Sequence, residues 1–182
     1  IALTLPAGGK RIDHLGNVYS SFVFNDDLEE IGGGCFYNAS MPFQITLPSN
    51  LRKVESNGFW NCGLEGELVI PENCLSIGSD AFSRNSLTKI TLPSKLEYIP
   101  SGIFVGNPIT SVTIPKYVTY IGYGAFACSY LQTVVCLAET PPNVQEGDPF
   151  GMYDGIGGVS KDKCILEVPE KSVELYRNTP IW

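Results

Sequence analysis

One spacing of apolar residues recurs five times in register along this chain, and a fold must accommodate that period before any local feature is read. The unit is an Ile-x-Leu triplet closed by Pro. An apolar residue follows three positions after the Pro, an Ile or Val six after it, and a Phe eleven after it. It reads Ile45-Thr46-Leu47-Pro48 with Leu51, Val54 and Phe59, then Leu68-Val69-Ile70-Pro71 with Cys74, Ile77 and Phe82. It continues as Ile90-Thr91-Leu92-Pro93 with Leu96, Ile99 and Phe104, and Val112-Thr113-Ile114-Pro115 with Val118, Ile121 and Phe126. An earlier copy carries Asn in place of Pro: Phe22-Val23-Phe24-Asn25 with Leu28, Ile31 and Phe36. The Pro column at 25, 48, 71, 93 and 115 advances by 23, 23, 22 and 22, and the Phe column takes the same steps. The rigid half of the unit therefore runs from the triplet to the Phe, and the variable residue falls in the return turn.

A unit of 22–23 residues is too short to bury its own apolar face, so copies must stack and share a core. The triplet has the two-residue alternation of a short strand. Copies in register pair these strands into a parallel sheet with coils about 4.8 Å apart. Pro ends each strand because it has no N–H to donate, and the Phe column becomes a stacked spine. The ends depart from the repeat, as caps must. Leu3-Thr4-Leu5-Pro6 with Ile12 is a truncated copy without its Phe. After a coil begun by Val134-Val135-Cys136-Leu137 comes a long loop in which Phe150 is positioned to rejoin the spine. A last strand, Ile165-Leu166-Glu167-Val168, a short capping helix over 170–177 with Val173 and Tyr176 inward, and Trp182 then close the stack.

These columns resemble the BspA-like leucine-rich-repeat family of bacterial surface proteins. Val112-Thr113-Ile114-Pro115 through Ala125-Phe126-Ala127-Cys128 to Leu131 follows that family's repeat nearly throughout. Thr140-Pro141-Pro142 and Ser172-Val173-Glu174-Leu175-Tyr176 match its C-terminal pattern. The resemblance implies a right-handed leucine-rich-repeat solenoid, mostly β, with a parallel sheet of short strands, little helix and a C-terminal capping helix. The resemblance covers about residues 20–182 and is poor over 1–20; length and repeat columns together predict a single domain over 1–182, with an N-terminal cap or partial repeat over 1–20, repeats over 21–136, then loop, last strand and cap over 137–182. The Asn that follows the strand in other leucine-rich repeats is replaced here by Pro. The family further implies export to the cell surface and adhesion, including binding of host matrix proteins. Any export signal or anchor is expected outside these residues, which begin at Ile1 and carry no signal-peptide pattern.

Charge narrows the partners. With 12 basic and 19 acidic residues the chain carries −7, a field that repels phosphate backbones and anionic lipid, so nucleic acid and the membrane surface are expected not to be partners. No apolar run approaches the ~18 residues of a membrane span. Six cysteines without a C-x-x-C pair fall mostly on core columns, where a thiol acts as a small hydrophobe. Cys136 with Cys164 is the one pair worth testing for a disulfide. A nucleophile dyad or a histidine metal site would have to be built around the single histidine, His14, which lies in the N-terminal cap and reads as a cap residue. The carboxylates Asp26, Asp27, Glu29 and Glu30 fall on exposed positions of a coil. Neither Gly32-Gly33-Gly34 nor the 155–158 run fits a phosphate loop. The expectation is a non-enzymatic chain without cofactor or metal.

Binding candidates come from the strand positions that point away from the core. One column is Gln44, Glu67, Lys89, Ser111 and Thr133; its neighbour is Thr46, Val69, Thr91, Thr113 and Val135. Together they tile the sheet face, where solenoids present extended surfaces. Tyr98 and Tyr120 share a column one coil apart, with Tyr117 and Tyr123 close in sequence, and form a candidate aromatic patch. Three roles follow: a module binding a protein such as extracellular matrix through the sheet face, a module binding glycan through the tyrosines, or a passive spacer.

Overall fold

A computed structural model describes residues 1–144 and 147–182. The chain coils into a leucine-rich-repeat solenoid of short parallel strands with very little helix. In chain order the strands are β1 (Ala2–Thr4), β2 (Arg11–Ile12), β3 (Ser21–Val23), β4 (Glu30–Ile31), β5 (Lys53–Val54), β6 (Glu65–Val69) and β7 (Ser76–Ile77). They continue as β8 (Ser86–Thr91), β9 (Tyr98–Ile99), β10 (Ser111–Ile114), β11 (Tyr120–Ile121), β12 (Thr133–Cys136) and β13 (Ile165–Glu167). The Ile-x-Leu triplets supply the longer strands: β1 pairs with β3, β6 with β8, and β10 with β12 and then β13. Leu68 lies opposite Ile90, and Val112 opposite Val134, so the alternate apolar residues face the core.

The Ile/Val column, expected only as a core position, forms a second parallel ladder. Its order is β2-β4-β5-β7, with β9 pairing β11. Ile12, Ile31, Val54 and Ile77 lie side by side, and the residue before each stands outward. Within residues 1–20 both strands, β1 and β2, pair with the next coil. The triplet Ile45-Thr46-Leu47 keeps the expected in-out burial but enters no ladder. Pro42 at its entry has no N–H, and the Phe43 N–H turns back onto the Met41 carbonyl at 2.7 Å.

The Phe column stacks as expected. Ring centroids are 4.9 Å apart for Phe36–Phe59, 5.4 Å for Phe59–Phe82 and 6.0 Å from there through Phe104, Phe126 and Phe150, with near-parallel planes. Edge-on rings cap both ends: Tyr19 against Phe36, and Trp182 against Phe150 and Tyr176. The capping helix, α1 (Val173–Arg177), follows one 3-10 turn at Glu170–Ser172. It buries Tyr176 with its hydroxyl on the Ala138 carbonyl, while Val173 is only half-buried.

Beside the spine runs a row of side-chain donors, each bonded to the Phe carbonyl of the preceding coil. Cys62 Sγ donates to Phe36 O (2.8 Å), Asn85 Nδ2 to Phe59 O (2.9 Å), Asn107 Nδ2 to Phe82 O (3.0 Å) and Cys128 Sγ to Phe104 O (3.2 Å). Asn85 Oδ1 also accepts the Cys62 and Leu64 N–H groups, each at 3.0 Å. This Asn/Cys row joins consecutive coils, and Cys62 and Cys128 act as donors as well as core filler. At the C-terminal side, Tyr153 crosses back over the coils that carry Phe82, Phe104 and Phe126. Its hydroxyl donates to Asp80 Oδ2 at 3.0 Å, and Arg84 pairs with Asp154 at 2.7 Å. The ring lies on Gly102 and Gly124, where a Cβ would collide with it.

Arg11 ties the first coil to the next two. Its guanidinium donates to Asp13 (2.9 Å), Glu30 (2.9 Å) and Glu55 (3.0 Å). Glu55 also accepts from Lys53 Nζ and the Gly33 N–H. Glu29 and Glu30 are therefore paired with Lys10 and Arg11, while Asp26 and Asp27 stay exposed.

Replacing Asn85 with Leu keeps the volume and removes five hydrogen bonds to buried backbone. Urea unfolding of Asn85→Leu should show a loss of about 3 kcal/mol or more; a loss under about 1 kcal/mol would mean that filling the space is enough. The Glu55 carboxyl is held at about 2, against an ordinary 4.5, by Arg11 first and then by Lys53 and the Gly33 N–H. A depressed carboxyl contributes stability above its ordinary value and loses it as pH falls through the folded one. The protection factor of the Gly33 amide, its exchange measured against intrinsic exchange at the same pH, should accordingly fall between pH 4.5 and about 2, and Glu55→Gln should abolish that step.

Candidate functional site

The sheet face is built by turns as much as by strands. Pro93 and Pro115 end β8 and β10, and each carbonyl accepts the N–H three residues on, from Leu96 (3.1 Å) and Val118 (3.2 Å). Leu96 and Val118 are buried, so the residues at the turn tips, Ser94-Lys95 and Lys116-Tyr117, project outward. The predicted columns line up where strands pair. Glu67 lies opposite Lys89 and bonds it at 2.8 Å; Val69 is opposite Thr91, Ser111 opposite Thr133 and Thr113 opposite Val135. Gln44 and Thr46 are exposed but stand on the unpaired second triplet, one end removed from the rest.

Between β8 and β10 the ladder is interrupted: β6-β8 and β10-β12-β13 are separate sheets among the described residues. A groove of about 510 Å³ opens there. Lys89, Thr91, Ser111 and Thr113 from the predicted columns line it, and so does Tyr117 from the predicted aromatic patch. Lys95, Lys116 and the exposed Leu137 complete its polar and apolar rims. A second depression of about 310 Å³ shares Lys116 and Tyr117 and runs on to Glu139 and Pro141. Tyr117, 57% exposed, is the wall between the two.

Tyr98 and Tyr120 belong elsewhere. They are in register on the second ladder, with centroids 4.7 Å apart and planes within 2°. Each ring turns one face to the other, which leaves less face for a sugar to stack on. Tyr123 packs against Tyr153 at 5.4 Å. A comparable stack went unread in the sequence: Tyr37 and Trp60 lie 4.5 Å apart, with the Arg84 guanidinium 5.5 Å from the Trp60 ring. Both follow a spine Phe by one residue, and that shared column is the signal for them.

The titratable groups are quiet. All six cysteines are free thiols, and Cys136 contacts the Tyr176 hydroxyl (3.2 Å) rather than Cys164. Burial pushes the Cys35 thiol up to about 11 and those of Cys62, Cys74 and Cys128 up to about 12, which disfavours the reactive thiolate. Burial also raises the Asp80 carboxyl beneath Tyr153. His14 is exposed in a left-handed turn. Among the described residues no group of three or more His, Cys, Asp or Glu is placed to hold a metal, and no helix is long and apolar enough to cross a membrane.

Comparison with known proteins agrees with this architecture. A solved leucine rich cell surface protein from Faecalibacterium prausnitzii A2-165 matches with a TM-score of 0.58 at 14% identity, covering 98% of this chain and 62% of its own. A leucine-rich repeat protein from Bacteroides ovatus ATCC 8483 matches with a TM-score of 0.44 at 16% identity, over 92% of this chain and 60% of its own. The chain thus spans about three fifths of the length of these solved structures. No curated protein matches. The family model for the BspA type leucine rich repeat region matches residues 16–132 in six copies. The chain belongs to the BspA-type leucine-rich-repeat family.

Proposed function

We propose that this solenoid is a non-enzymatic interaction module of a secreted or cell-surface protein and that it binds a protein ligand, such as extracellular matrix, through the face around β8 and β10. The observation that carries the reading is the groove itself. It gathers four residues of the outward strand columns, Lys89, Thr91, Ser111 and Thr113, beside one large exposed aromatic, Tyr117. A long, open trough with an aromatic wall suits a protein partner, whose binding energy concentrates on a few Tyr, Trp or Arg anchors in desolvated depressions. Two depressions flank Tyr117, so a partner that fills both would bury the ring on either side. Family membership and the cell-surface description of the F. prausnitzii protein support the surface placement. Adhesion is the role that placement and groove together favour. The glycan reading rests on Tyr98 and Tyr120, whose rings already cover one another, and a passive spacer needs no groove.

The test is a solution binding screen against extracellular-matrix proteins and a glycan panel in parallel, with circular dichroism to show that each variant is folded. Tyr117→Ala should weaken a protein hit by about tenfold or more, Lys89→Ala should weaken it less, and Tyr98→Ala with Tyr120→Ala should leave it unchanged. Loss of a glycan hit in the Tyr98/Tyr120 variant, with Tyr117→Ala silent, would move the site to the second ladder. Binding that is indifferent to both sets would remove this face from consideration.

A further inference from the structure

We propose that the occupant of the groove between β8 and β10 is an extended acidic peptide segment of the partner; this rests on the protein-binding reading above and names the chemistry of that ligand. The first observation is charge. The chain carries −7 with only 12 basic residues, yet three of them, Lys89, Lys95 and Lys116, line this one trough, and among the described residues no carboxylate does. The acids that accompany these lysines stand outside the lining: Glu67 bonds Lys89 at 2.8 Å, and Glu139 lies 3.6 Å from Lys116. Glu72, whose carboxyl is held low by Ser94 first, also feels Lys95. Lys89 and Lys116 are well exposed, and such ion pairs hold weakly and exchange readily. An incoming carboxylate can therefore take over from Glu67 or Glu139 without leaving a buried charge behind.

The second observation is shape. The lining runs from Lys89 to Lys95 on one coil and from Ser111 to Tyr117 on the next. The trough follows the chain direction and suits an extended chain laid alongside the strands. Thr91, Thr113 and Ser111 hydroxyls are there to bond a main chain, while the Ser94 hydroxyl is held by Glu72 at 2.7 Å, and the ladder beneath is interrupted between the two sheets. The third observation is the apolar part. Leu137 and Tyr117 are 45% and 57% exposed at the rim, which favours a peptide with alternating acidic and apolar side chains over a polysulfated glycan, which has no apolar side chains to place there.

The experiment uses a fluorescein-labelled peptide of about ten residues alternating Glu and Val, a Gln/Val peptide of equal length and heparin, followed by anisotropy at about 50 and 500 mM NaCl. The acidic peptide should bind more tightly than the neutral one and weaken with salt. Each Lys→Gln change at Lys89, Lys95 and Lys116 should cost about two- to fivefold. Glu67→Gln and Glu139→Gln should tighten binding, a reversal of sign that loss of packing would not produce. Equal binding of the two peptides, insensitivity to salt, or heparin binding in preference to the acidic peptide would each overturn the proposal. So would no peptide binding at all. None of these touches the interaction reading, which stands or falls on Tyr117→Ala against whole matrix proteins.

Discussion

Each coil is held to the next by one buried ring lying on another. Isolated, a coil of 22–23 residues has no interior; its Phe becomes buried only because the neighbouring Phe covers it. The rings at 36, 59, 82, 104, 126 and 150 form an unbroken stack. The donor row at Cys62, Asn85, Asn107 and Cys128 bonds the carbonyls of Phe36, Phe59, Phe82 and Phe104 to the following coil. Packing sets the spacing and hydrogen bonding sets the rotation of one coil against the next. Tyr19 and Trp182 then meet the ends of the stack edge-on, and Tyr176 packs edge-on against Trp182.

The binding face follows from this frame. Because spine and second ladder hold the coils together, the first ladder can afford interruptions: the 45–47 triplet stays outside it, and it breaks again between β8 and β10 while β9 and β11 stay paired. The groove at the interruption is thus a local opening in a sheet that the rest of the coil keeps in place. The turn tips after Pro93 and Pro115 deepen it by raising Lys95, Lys116 and Tyr117 beside the strands. The loop that carries Tyr153 braces the same coils from elsewhere, reaching Asp80 and Arg84 and lying flat on Gly102 and Gly124.

The solenoid was legible because its evidence is repeated. Five copies hold five columns in one register, and a misreading in one copy is corrected by the others. What repetition does not carry was hidden. The donor row alternates Asn with Cys, and a thiol on a core column reads as a small hydrophobe; only its place beside the Phe36 and Phe104 carbonyls reveals the bond. The second ladder has strands of two residues, too short to show alternation. The outward columns named the right strand residues, but the groove among them was not readable, because the copies flanking it have the same 22-residue length as their neighbours. Tyr117 was grouped with Tyr98 and Tyr120 by sequence proximity, whereas the turn after Pro115 sends it to the other sheet. The Arg11 cluster and the Tyr153 contacts join residues up to 73 positions apart and follow no period.

The central claim is that the ring stack, more than either ladder, makes the coils one cooperative body. Residue-resolved amide exchange on Phe82→Ala, with urea unfolding alongside, tests it most directly. The account predicts a loss of about 3–5 kcal/mol and exchange protection that drops first in β6 to β9, on both sides of the missing ring, and less toward β1 and β13. Stability within about 1 kcal/mol of the parent, or a loss of protection confined to the residues touching position 82, would contradict it.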